Sequence, residues 1–170
     1  VRGLASGFNL LWLTWGNTLP LFTGAAISFG VKSVISLGAQ VNNTFETIRV
    51  LSEESKESVT ALNQQMLQLA STGPLGPLAI ADAMKILSLA GMSASEVSAS
   101  IKDVMNFAVA GDVDLKKAAD TMTTVATAFS ISANAYNYVG DVIAKTAAVS
   151  KSSVESIGEA FKTSSVLNKQ

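Results

Sequence analysis

The sequence predicts an all-α fold: an array of short amphipathic helices joined by tight turns, preceded by an apolar N-terminal helical segment and assembled as an oligomer. Three observations carry this. From about residue 41 onward, apolar residues recur at three- and four-residue spacing, where a strand would alternate them with polar ones. Turn and capping residues interrupt that pattern about every twenty residues. Ahead of it, Gly3 to Val31 carries no charged residue.

The N-terminal segment, bounded by Arg2 and Lys32, is long enough to cross a hydrocarbon core, which needs about 20 residues. It is interrupted by Gly16, Asn17, Thr18 and Pro20, and the residue before a proline is disfavoured from helical geometry. Two helices, near 4–15 and 20–37, are therefore expected. A cleaved signal peptide fits poorly, because no charged region leads the run. Trp12, Trp15, Leu19, Phe22 and Phe29 are its candidate contacts with neighbouring copies or with a membrane. The domain division expected is 1–40 for this segment and 41–170 for a helical domain. The chain starts at Val1 and closes on "TSSVLNKQ", so both ends are expected to be cuts in a longer polypeptide.

In "VNNTFETIRVLSEESKESVTALNQQMLQLAS", Phe45, Ile48, Leu51, Val59, Leu62, Met66 and Leu69 fall largely on one helical stripe. Glu53, Glu54, Lys56 and Glu57 are expected to be solvated between them. "STGPLGP" ends the pattern, and Pro77 suits the first turn of the next helix. Further helix starts are expected at caps Ser93, Asp112, Ser132 and Ser152. Ser93 with Glu96, and Ser152 with Glu155, have capping-box spacing. Gly91 and Gly111 stand where a left-handed helix terminus favours glycine. The helices between carry apolar faces: Val97, Ile101, Val104, Met105 and Ala108; Leu115, Ala118, Ala119, Met122, Val125 and Phe129; Tyr136, Val139, Ile143 and Ala147; Val154, Ile157 and Phe161. Each helix is marginal alone, so the set must pack to persist.

Composition excludes much chemistry. The sequence has no cysteine and no histidine, which removes thiolate catalysis, disulfides, imidazole bases and zinc sites built on those ligands. Charged residues make up 15%, against about 25% in a typical soluble domain. Net charge is −1, so no sequence-specific nucleic-acid partner is expected. Asp112 and Asp114 in "GDVD" lack the later oxygen ligands of a calcium loop, and helix capping explains them better. Asp120 and Asp141 are expected to be solvated or paired with Lys116, Lys117 or Lys145. Of Tyr136 and Tyr138, one is expected in the core and the other exposed. No catalytic residue, cofactor or metal site is expected, and the segment reads as no enzyme.

The blocks "AIADAMKILSLAGMSASEV", "AVAGDVDLKKAADTMTTVATAFSI" and "VIAKTAAVSKSSVESIGEAFK", in that order, resemble the core region of bacteriophage tail tape measure proteins, over roughly residues 45–162. The apolar, proline-rich "STGPLGPLAIADA" departs from the polar helix usual there. The resemblance implies a virion component, in the tail lumen or at the tail tip, that sets tail length, anchors at the tip or baseplate and assists genome delivery. It implies as partners the tail tube, the tip or baseplate proteins, copies of itself (a trimer, or else a hexamer) and the host membrane or envelope during infection. Even as one continuous helix the chain would reach only roughly 250 Å at about 1.5 Å per residue, and its frequent breaks argue for a compact anchoring module of a longer tape. The alternative is a membrane-inserting helical pore or channel-lining module; a secreted helical effector stands third.

Overall fold

Helices of this length last only where their ends are closed, and here the ends are closed repeatedly in the same way. The computed structural model describes residues 24–167. Among them are seven α-helices and no strand: α1 Gly24–Leu51, α2 Lys56–Thr72, α3 Pro77–Leu89, α4 Ala94–Ala110, α5 Leu115–Ala128, α6 Tyr136–Ser150 and α7 Val154–Leu167, with a 3-10 turn at Ala133–Ala135 ahead of α6. The chain divides into two compact units, Val1–Ala39 and Gln40–Gln170. The second begins within α1 and holds α2 to α7.

Five links share one construction. A residue with positive φ follows the helix: Glu53 (52°), Gly91 (93°), Asp112 (50°), Ser130 (54°) and Lys151 (54°). Two positions later stands the residue that precedes the next helix or 3-10 turn: Ser55, Ser93, Asp114, Ser132 and Ser153. The middle residue of four links returns its N–H to a carbonyl of the last helical turn: Met92 to Leu87 (3.3 Å), Val113 to Ala108 (2.9 Å), Ile131 to Ala126 (2.8 Å) and Ser152 to Ala147 (3.1 Å). This is the Schellman closure, which satisfies carbonyls left over at a helix end. The link after α2 differs. Gly73 is extended, Gly76 precedes the helix, and Pro77 takes the first turn of α3, where its missing N–H costs nothing.

Several expectations are corrected by these links. The first apolar segment was expected to end a helix near residue 37, but α1 runs through to Leu51. The stripe across 41–71 is broken at Ser52–Ser55, because Glu53 turns left-handed and Ser55 caps α2, which leaves Leu51 exposed. Gly111 keeps a right-handed φ of −93°, and Asp112 takes the left-handed position instead. Glycine suits Gly111 for room: a Cβ there would stand 3.1 Å from Val154 Cγ1 and from the Phe107 carbonyl oxygen.

Within the second unit the helices pack in two layers. α2, α4 and α6 form one and α3, α5 and α7 the other, each packing on the helix two along in its own layer as well as on its chain neighbours. The inward sides form one apolar cluster, from Val41, Phe45 and Ile48 through Met66, Met84, Leu87, Val97, Ile101, Val104 and Met122 to Tyr136 and Ile143. Val154, Ile157 and Phe161 pack against it half-buried. Phe129, expected on an inward face, is exposed, and its ring meets Phe161 edge-on at 6.1 Å between centroids.

Within the second layer α7 approaches α5 closely at Gly158, where a Cβ would lie 2.5 Å from Thr121 Cγ2. Gly158→Ala is expected to lower the thermal midpoint, since overpacking costs roughly 1–3 kcal/mol while the gain in helix propensity is at most about 1 kcal/mol. Thr121→Ser removes the clashing methyl and is expected to recover most of the loss in the double variant. Thermal unfolding of the four combinations measures both effects.

Candidate functional site

Helix ends hold most of the ordered polar geometry. At α4 the Ser93 hydroxyl accepts from the Glu96 amide (3.4 Å), while the Glu96 carboxylate accepts from the Ser93 amide (2.9 Å) and hydroxyl (2.8 Å). Those two bonds to the carboxylate, the backbone one first, hold Glu96 below the usual carboxylate range. The Glu54 carboxylate also reaches this end and accepts from the Ala94 amide at 2.5 Å. Glu54 was expected to be solvated; it is half-buried and places negative charge at the helix start, where the macrodipole favours it.

At α5 the cap is Asp114, whose Oδ1 accepts from the amides of Lys116 (2.9 Å) and Lys117 (3.3 Å); Asp112 lies two residues outside it. Ser132 occupies the capping position of the 3-10 turn, but its hydroxyl bonds to the Asn134 side-chain oxygen. At α7 it is the hydroxyl of Ser153, not Ser152, that accepts from the Ser156 amide (3.1 Å). The Ser152 amide is committed to closing α6. Glu155, read as the partner of Ser152, instead meets Lys117 at 2.6 Å. That hydrogen bond, then the attraction of the charges, raises the Lys117 pKa. Lys145 pairs with Asp141 at 4.0 Å, and Lys116 with Asp82 at 3.9 Å.

Buried polar side chains among the described residues are Thr44, Ser88, Ser100, Thr121 and Thr123. Ser100 donates to the Ala133 carbonyl (3.0 Å), Thr123 to that of Ala119 (2.9 Å) and Thr44 to that of Gln40 (3.0 Å), so these hydroxyls satisfy backbone oxygens. Tyr136 is 2% exposed and Tyr138 is 63% exposed. Burial, with the nearby Glu96 charge second, pushes the Tyr136 phenol up to about 12. No group of three or more acidic side chains among the described residues could hold a metal ion. Two shallow grooves flank α4: one of about 170 Å³ toward α6, lined by Asp103, Phe107, Asn137 and Asp141, and one of about 380 Å³ toward the α2–α3 link, lined by Leu69, Pro74, Leu75, Lys102 and Met105. Asn106 and Ala110 border both.

The N-terminal candidates Trp12, Trp15, Leu19 and Phe22 lie outside the described residues, as does the side chain of Phe29. Among the described residues no helix is long and apolar enough to cross a membrane.

Most ordered polar side chains of this stacked all-helical module serve caps, backbone carbonyls and surface ion pairs, while the Ser52 and Ser88 hydroxyls and the Gln65 side-chain oxygen are buried without a partner; the surfaces it offers are helix faces. Its family is identifiable: residues 63–170 match the model of the phage-related minor tail proteins, and the chain belongs to that family. It is a phage tail tape measure-related protein and a structural component of the virion tail. Over 162 residues it is 25% identical to the tape measure protein of Pneumococcus phage Dp-1, an alignment covering 95% of this chain and 13% of that protein. The chain thus spans about an eighth of the length of the curated relative it matches. No solved structure matches it.

Two outcomes test these assignments. Ser153→Ala is expected to destabilise by about 1 kcal/mol, the usual loss on removing a capping oxygen, and Ser152→Ala to change little; denaturant titration separates them. The raised Tyr136 pKa means that its contribution to stability is complete below its ordinary value of 10.0 and is lost as pH rises toward about 12. Alkaline titration of Tyr136→Phe is therefore expected to show a smaller loss of stability across that window than the parent chain, read by circular dichroism.

Proposed function

We propose that this chain is a compact anchoring module of a tape measure protein that sets tail length, held in the tail lumen near the tip or baseplate and taking part in genome delivery. The observation that carries this reading is the two-layer stack. Helices that reverse at every link contribute little axial length, whereas a measuring segment gains about 1.5 Å for each helical residue added. Tube, tip or baseplate proteins are the proposed partners, together with copies of the chain, three by preference or six. Self-association is supported by apolar side chains that stand in solvent, among them Leu67, Leu89, Val109 and Tyr138. During infection the apolar N-terminal segment, with Trp12, Trp15, Leu19, Phe22 and Phe29, is proposed to meet the host membrane.

The test is tail length. A helical insertion of about 20 residues in the α6–α7 link of the complete protein would lengthen the tail by roughly 30 Å if this region lay extended along the tube. The compact module predicts particles of parental length, measured by electron microscopy. Proportional lengthening would overturn the proposal.

A further inference from the structure

The two-layer packing places a helix on both sides of α4 within its layer, namely α2 and α6, and on both sides of α5, namely α3 and α7. Their burial reflects this. α4 buries Ala94, Val97, Ser100, Ile101, Val104, Met105, Phe107 and Ala108, which wrap well beyond a single stripe. α6 has α4 on one side, and the described residues supply no helix on the other. Its inward face buries Tyr136, Val139, Gly140, Ile143 and Ala147. Its outward face carries Tyr138, Val142 and Val149, which helical spacing aligns on one stripe. Val142 is half-buried and Val149 is 86% exposed. The opposite end of the same layer is more polar: α2 presents Glu57, Thr60, Gln64 and Gln68 to solvent, with Leu67 as the one large apolar side chain exposed among them. A stacked helical array ends stably on a polar face, because each unit buries its apolar side only against a neighbour. By that criterion α6, with Tyr138 and Val149 in solvent, is the less finished of the two ends.

We propose that the α6–α7 end is the docking surface for a further pair of amphipathic helices of the same polypeptide, which continue the two-layer array. Alternation assigns the first helix of the pair to the α6 layer, against Tyr138, Val142 and Val149, and the second to the α7 layer. Two observations select this occupant. The surface continues an interface already used twice in its layer, by α2 on α4 and by α4 on α6. The matching tape measure protein is far longer than this chain, which spans 13% of it, so a polypeptide of that length has further chain to supply. Lys145 falls within this stripe, between Val142 and Val149, and pairs with Asp141 beside it at 4.0 Å, so the incoming helix meets apolar side chains interrupted by one ion pair.

The absence of cysteine from this chain makes a thiol probe specific within it. Val149→Cys is labelled with a maleimide in the 170-residue chain and in the complete polypeptide encoded by its gene, and the modified peptide is quantified by mass spectrometry. Lys56→Cys, on exposed α2, is the control. Labelling of Val149→Cys is expected to be at least tenfold slower in the complete polypeptide, with the control equally fast in both. Equal rates for Val149→Cys would overturn the proposal. Slow labelling in the isolated chain would also overturn it, and if that protection vanished on dilution the occupant would be a second copy. None of these outcomes depends on where the module sits in a tail, so failure here leaves the anchoring reading standing.

Discussion

The structure depends on a three-residue link that ends one helix and starts the next. A left-handed residue closes the helix, its successor in four of the five links sends an N–H back to the last turn, and the third residue precedes the next element. Helices of 13 to 17 residues, such as α2 to α6, are marginal in isolation. Their termini would otherwise leave several donors and acceptors unmet. The link satisfies donors and acceptors with three residues, and it reverses the chain tightly enough for neighbours to pack. The near-constant spacing follows directly: the left-handed positions Gly91, Asp112, Ser130 and Lys151 set where each helix must stop.

Only one of the five left-handed positions is glycine. Asp112 and Ser130 carry short polar side chains, which tolerate that region better than bulky ones, while Glu53 and Lys151 have no such advantage. The neighbouring interactions must therefore hold them. At Lys151 these are the Ser152 bond to Ala147 and the Ser153 cap; at Glu53 they are the Ser55 cap and the reach of Glu54 to α4. That last contact crosses 40 residues of sequence. It ties the first of these links to the array's central helix, so local closure and tertiary packing support one another.

Much of the helical array was legible because its period and its punctuation agree. The inward faces of α4 and α6 lie where spacing places them, and Ser93 and Ser132 stand at helix or turn starts. Expectation and structure part where two nearby residues have equal chemical claims. In "GDVD" both aspartates can cap, and the choice falls to Asp114 because Asp112 is needed for the reversal. In "KSSVE" both serines can cap, and the Ser152 amide is drawn into closing α6. The break at Ser52–Ser55 was hidden because Leu51 continues the apolar stripe although it ends in solvent. Long-range polar contacts such as Glu54 to Ala94 leave no local signal, since they depend on how layers stack.

An array of this kind distributes its stability unevenly. α4 and α5 are covered on two sides of their layers, whereas α7 sits at the edge, with Val154, Ile157 and Phe161 half-buried. Its hold on α5 rests on close contact at Gly158 and on the exposed Lys117–Glu155 pair, and such pairs contribute little in water. Opening from that edge therefore costs less than opening from the middle, because each helix removed exposes one interface while the rest stay closed. The result is a module with a firm centre, which keeps the helices in register, and a weaker edge, where unfolding begins unless another helix covers it.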